Sequence, residues 1–260
     1  MEAIQLSLLK RFNWRVKLSI LAFINKDTRF REPRKWSNRE LGKIVEYLAP
    51  TGSAVNVSAW QDRDKEGSTY KEKYFYKASD YWITNWKSDA FGFQGGLDKE
   101  MFLDLEEDLS TELYSRFDIV FNHTTLEHVF DVQKAFKNLC LLSKDKVIVV
   151  VPFLQEQHTE YGDYWRFTPW CVKRLFEKNG YLPLYISVND GPVDSIYVFA
   201  VGARSSKDQE LLSSVQGNIV NSVEQILVGQ QFCDRKGFLV KQIERIITRL
   251  KLVTSAVKSY

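Results

Sequence analysis

Residues 117–153 constrain the chain more than any other stretch. They read FDIVFNHTTLEHVFDVQKAFKNLCLLSKDKVIVVVPF. Two apolar runs, 117–122 and 146–153, are too short and too β-branched for helices. Between them Val129, Val132, Ala135, Phe136, Leu139 and Leu142 recur at helical spacing, so residues 129–142 are predicted to form a helix. Strand, helix and strand joined this closely form a right-handed βαβ unit of a parallel sheet. The polar cluster Asn122, His123, Thr124, Thr125, Glu127 and His128 follows the C-terminal end of the first strand. In open α/β sheets that edge is where ligands bind.

The rest of the chain extends the pattern. Strands are predicted at 54–60, 81–85 and 101–105 before this unit, and at 182–188 and 196–201 after it. The last two are joined by the turn signal Asn189-Asp190-Gly191-Pro192. Residues 61–73 are charged and turn-rich, read as a loop or short helix. Ser37 reads as an N-cap, with Glu40 three residues on and Leu41, Ile44, Val45 and Leu48 at helical spacing.

The order and spacing of Leu126-Glu127-His128, Pro152 and Asp163-Tyr164-Trp165-Arg166-Phe167-Thr168 carry a resemblance over residues 50–202. This block resembles class I S-adenosylmethionine-dependent methyltransferases of the type 11-like kind, in particular a bacterial branch found among sugar and cell-envelope genes. The resemblance implies an α/β fold: a doubly wound, mostly parallel, seven-stranded Rossmann-like sheet with helices between its first five strands. It implies a domain at 50–204, between helical extensions at 1–49 and 205–260, and S-adenosyl-L-methionine as cofactor. The acceptor it implies is a small molecule or glycan, as in polysaccharide biosynthesis.

In such enzymes the first strand ends in a glycine-rich turn, because glycine lets the backbone approach the cofactor. That motif is degenerate here: Asn56, Ser58, Ala59 and Trp60 stand at the turn, and no glycine follows until Gly67. Asn85 takes the place of the acidic residue that grips the ribose, without the charge assistance of a carboxylate. Asp104 and Leu105 fall where an acidic strand end meets the adenine amine, and Asn122 lies at the methionine end. His123 and His158 are candidate general bases and Arg166 a candidate anion-binding group on the acceptor side. Each has a plainer reading: a histidine that orders a loop, or an arginine paired with Asp163. Glu127 either orients a histidine or favours a helix N-terminus.

Composition bounds the alternatives. No apolar run approaches ~20 residues, so no spanning helix is expected. The first residues lack a secretory pattern, and three scattered cysteines without ligand spacing point to reduced thiols, Cys140 and Cys171 on apolar helix faces, in a cytoplasmic protein with no metal site. The net charge of +3 hides basic ends, +7 over residues 1–43 and +6 over 235–260. Apolar stripes at 1–25 and 238–257 accompany them. Those helices are expected to pack on the domain, to form a homo-oligomer or dock an enzyme partner, or to lie on the inner face of a membrane. Nucleic acid is not the expected partner, since the basic residues lie away from the predicted cleft. A non-catalytic scaffold of the same fold is the second functional expectation.

Overall fold

The computed structural model describes residues 33–87, 92–155, 157, 162–189 and 197–221. Helix α1 (Pro33–Leu48) precedes β1 (Ser53–Val57), the one-turn α2 (Tyr70–Lys73), β2 (Asp80–Asn85), β3 (Glu100–Phe102) and β4 (Phe117–His123). Then come α3 (Val132–Leu142), β5 (Ser143–Pro152), α4 (Pro169–Lys178), β6 (Leu182–Val188), β7 (Tyr197–Ala203) and α5 (Gln209–Ser213). The seven strands form one sheet in the order β3-β2-β1-β4-β5-β7-β6. All neighbours are parallel except β7, which runs antiparallel to β5 and β6. The doubly wound, mostly parallel sheet expected from the sequence is therefore present.

Alternation along the strands sends side chains to two cores. Val147, Val149 and Val151 of β5 join Phe136 and Leu139 of α3 and Phe176 of α4 on one face. Ile148 and Val150 join Trp36, Leu41 and Ile44 of α1, Tyr70, and Leu212 of α5 on the other. A central parallel strand is buried on both faces, which is why β5 reads as an unbroken apolar run. Local caps fix the crossover helices: Asp131 accepts from Lys134 N at the start of α3, and Thr168 accepts from Cys171 N ahead of Pro169 in α4.

Several expectations are corrected. Between β1 and β2 the helix is a single turn, and between β3 and β4 there is only the 3₁₀ turn Thr111–Leu113. Strand β1 stops at Val57, because Ser58 and Trp60 adopt left-handed φ of 58° and 52°. Strand β3 stops at Phe102, since Leu103 and Leu105 turn into the core. Residues 126–128 form a 3₁₀ turn, and α3 starts only after the Asp131 cap. Ser37 is not an N-cap: α1 begins at Pro33, the Ser37 hydroxyl donates to the Arg34 carbonyl, and Glu40 is taken by the Tyr185 hydroxyl at 2.5 Å. Cys140 is buried, but Cys171 is exposed on the first turn of α4 rather than in the core. The apolar stripes at 1–25 and 238–257, with Cys233, lie outside the described residues.

Candidate functional site at the strand edge

The sheet reverses direction of winding between β1 and β4, so the switch point lies where Val57 faces Asn122. Parallel pairing brings the ends of β1, β2, β3 and β4 to one edge. Trp60, Asn85, Asp104 and Asn122 all follow or end those strands.

After β1 the left-handed residues alternate: Ser58, Trp60 and then Asp62 at 61°. This is a path that glycine takes without penalty and other residues take at a cost of about 1–2 kcal/mol each. Hydrogen bonds hold it. Ser58 N donates to Thr84 Oγ1 at 3.2 Å, Ala59 N to the Thr84 carbonyl at 3.0 Å, and Trp60 N to Asn85 Oδ1 at 2.6 Å. The Asn85 amide returns a bond to the Trp60 carbonyl at 3.0 Å and another to Glu100 Oε1 at 2.7 Å. Asn56 Nδ2 and the Tyr81 hydroxyl both donate to Asp62 Oδ1, at 2.8 and 2.6 Å. Burial raises the Asp62 pKa, against those bonds.

Past β3, Asp104 Oδ1 accepts from Glu106 N at 2.8 Å, while the Leu105 side chain is buried and its carbonyl accepts from Asn138. At the end of β4, Asn122 Nδ2 donates across the switch point to the Val57 carbonyl at 3.0 Å. Its Oδ1 is buried with no hydrogen-bond partner among the described residues. A buried carbonyl oxygen without a donor is uncommon and points to a missing one.

His123 sits in a closed circuit. Ser37 Oγ gives its proton to the Arg34 carbonyl, so at 2.7 Å His123 Nε2–H must donate to Ser37 Oγ. Nδ1 then accepts from Thr124 Oγ1 at 3.0 Å, and Thr124 Oγ1 accepts from Arg34 Nη2 at 2.9 Å. Burial, then the charges of Arg34 and Lys65, push the His123 pKa well below its ordinary value. The ring is neutral and both nitrogens are occupied, which makes it the post that ties α1 to β4.

Glu127 is 1% exposed, its Oε2 has no hydrogen-bond partner, and burial raises its pKa to about 8. His128 Nδ1 donates to the Gly162 carbonyl at 2.5 Å, and its Nε2 lies 3.8 Å from Glu127 Oε1. Tyr164 N donates to the Glu127 carbonyl, clipping the segment after β5 onto this turn. Arg166 holds both oxygens of the buried Asp163 carboxylate, at 2.5 and 2.7 Å, and donates to the Gln155 carbonyl. The ion-pair reading of Arg166 is thus what the geometry shows. His158 lies outside the described residues. Among the described residues no cluster suits a metal ion, and no helix is long and apolar enough to cross a membrane.

Arg34, Thr84 and Glu100 escaped the sequence reading. Pro33, a favoured first helical residue, was the available sign that Arg34 opens a helix. Nothing local places it against β4.

No family model and no curated protein sequence matches the chain. Among solved structures it is similar to 1,6-didemethyltoxoflavin-N1-methyltransferase of Burkholderia thailandensis, bound to its substrate and S-adenosylhomocysteine, with TM-score 0.47 and 13% identity over 74% of this chain and 90% of that one. It is similar to magnesium protoporphyrin IX methyltransferase of Synechocystis with bound SAM, with TM-score 0.45 and 12% identity over 70% and 84%. A SAM-dependent methyltransferase of Aquifex aeolicus gives 0.46 and 13% over 71% and 98%. The strand order and the antiparallel β7 are those of the doubly wound sheet that the class I methyltransferase resemblance implies.

Proposed function

We propose that the chain is an S-adenosylmethionine-dependent methyltransferase acting on a sugar or cell-envelope glycan. The observation that carries this reading is the unpartnered Asn122 Oδ1 at the switch point of a class I sheet. The residues along the edge fit the cofactor at three places. Asn122 Oδ1 supplies an acceptor for its ammonium, Asp104 an acceptor for the adenine amine, and Glu100, beside Asn85, the carboxylate that Asn85 lacks. When bound, the cofactor supplies a methyl group on a positively charged sulfur. The chain then has to orient an acceptor oxygen and take its proton. Neutral His123 and the Asp163–Arg166 pair hold the walls of the acceptor side. His158, in the segment between β5 and α4, is the proposed base.

Calorimetry with S-adenosylmethionine and S-adenosylhomocysteine tests this, and micromolar binding is expected. His158→Ala should then lower methyl transfer far more than cofactor affinity, because a base acts in the transition state.

One observation favours a second reading, a non-catalytic scaffold. The N–H groups of Ser58, Ala59 and Trp60 are spent on Thr84 and Asn85, which leaves the turn satisfied by its own neighbours. In that reading the basic terminal segments dock an enzyme partner or a membrane face. Absence of binding at millimolar cofactor, by a folded sample, decides for it.

A further inference from the structure

Arg34, on the first turn of α1, reaches Thr124 just past the end of β4. Among the described residues its two terminal nitrogens donate only to neutral hydroxyls, Nη1 to Tyr70 at 3.2 Å and Nη2 to Thr124 at 2.9 Å. Among the described residues no carboxylate pairs with it. Its charge is felt by Tyr70, His123, Glu127 and Tyr197. Lys65 follows Asp64, whose carbonyl accepts from Asn38, one turn along α1 from Arg34. The Lys65 pKa is lowered, first by the charge of Arg34 and then by the partial desolvation of its otherwise exposed side chain. The carboxylates on either side of Lys65 make their ion pairs with Lys73 rather than with Arg34 or Lys65. Asp64 and Glu66 both bind Lys73, and Glu66 also accepts from Asn38. Glu127, the remaining carboxyl under Arg34's influence, stays protonated up to about pH 8.

Two cations held together without an ionised carboxylate between them repel each other, and an oxyanion placed between them removes that cost. A guanidinium with most of its N–H groups uncommitted suits a phosphate or carboxylate in two-point contact. We propose that Arg34 and Lys65 form the seat for an oxyanion on the acceptor, so that the acceptor is an acidic molecule: a phosphorylated or carboxylated sugar rather than a neutral one. The seat lies just past the end of β4, at Thr124, two residues beyond Asn122, where a group so held would set an adjoining hydroxyl toward the switch point. The acceptor half of this inference rests on the methyltransferase reading; the anion seat does not.

Titration calorimetry at fixed ionic strength tests the seat, with inorganic phosphate, glucose 1-phosphate and glucuronate as separate probes. Saturable one-site binding of at least one is expected, weakened about tenfold in Arg34→Gln and several-fold in Lys65→Gln. Phosphate and glucose 1-phosphate binding alone identifies a phosphoryl acceptor, and glucuronate alone a carboxylate one. No saturable binding by folded protein, or equal binding by wild type and both variants, overturns the proposal. If Arg34→Gln fails to fold, Lys65→Glu decides, since Lys65 is exposed: unchanged affinity overturns the seat, and lost affinity supports it. Titrating the same sample with S-adenosylmethionine separates the two claims. Cofactor binding without anion binding removes the seat alone, and anion binding without cofactor binding removes the enzyme alone.

Discussion

His123 ends β4 and Glu127 lies in the 3₁₀ turn that follows, and burial moves both toward their uncharged forms. For Glu127 the folded pKa of about 8 exceeds the ordinary 4.5, so the folded state holds a proton that the unfolded state releases. Its stabilising contribution is full below about pH 4.5, falls as pH rises, and is gone past pH 8. Glu127→Gln should therefore flatten the loss of stability between pH 5 and 8, by on the order of a few kcal/mol at the alkaline end. Urea midpoints across that range check it, and parallel curves for the two proteins count against a buried, protonated Glu127. His123 has the opposite sense. Its folded pKa is depressed, so its contribution is present above the ordinary 6.5 and is lost as pH falls below it. His123→Gln should remove part of the acid limb that starts near that value. The residue types at this edge were legible because motif order places them after a strand. Their partners were not. Ser37 and Glu40 have the spacing of a capping box, yet one bonds a histidine 86 residues away and the other a tyrosine 145 residues away. Such long-range contacts leave no periodic trace.

Elements were legible where burial was strong. The run at β5 and the turn signal before β7 defined strands because both faces of the sheet centre must be apolar. Gly202 in β7 marks a close approach: a Cβ there would lie 2.3 Å from Phe176 Cδ1. Gly202→Ala should cost roughly 1–3 kcal/mol through overpacking, read from the urea midpoint. The turn after β1 has the reverse problem, a non-glycine residue in a glycine conformation. Ser58→Gly should stabilise by about 1 kcal/mol by removing left-handed strain. No gain would mean that the bond from Ser58 N to Thr84 sets the geometry regardless of strain. The helices expected between early strands came from the resemblance. The charged, turn-rich composition of residues 61–73 had pointed to a loop or short helix, and the one-turn α2 agrees with it.

At the scale of the molecule the two ends of the sheet differ in thickness. Strands β4, β5 and β7 are sealed by α3 and α4 on one face and α1 and α5 on the other. Strand β3 has three residues, pairs among the described strands with β2 alone, and leaves Phe102 52% exposed. Local opening should therefore be graded. Amides of β5, paired on both sides and buried, should exchange only through global unfolding. Those of residues 92–102 should exchange through a local opening at much lower free energy. The gradient bears on function because the proposed cofactor edge straddles it. Asn122 belongs to the rigid half, whereas Asn85 and Glu100 belong to the thin one. A ligand spanning both must order the thin half, and that ordering is a cost charged against its affinity. Hydrogen exchange with saturating S-adenosylmethionine should then slow residues 58–62 and 100–105 while leaving β5 at the global limit. Anion binding at Arg34 and Lys65 should instead slow residues 33–37 and 64–66. If β3 already exchanges at the global limit without ligand, the thin half is not soft. The turn bonded to Thr84 and Asn85 would then be rigid, and the scaffold reading gains at the expense of the enzyme.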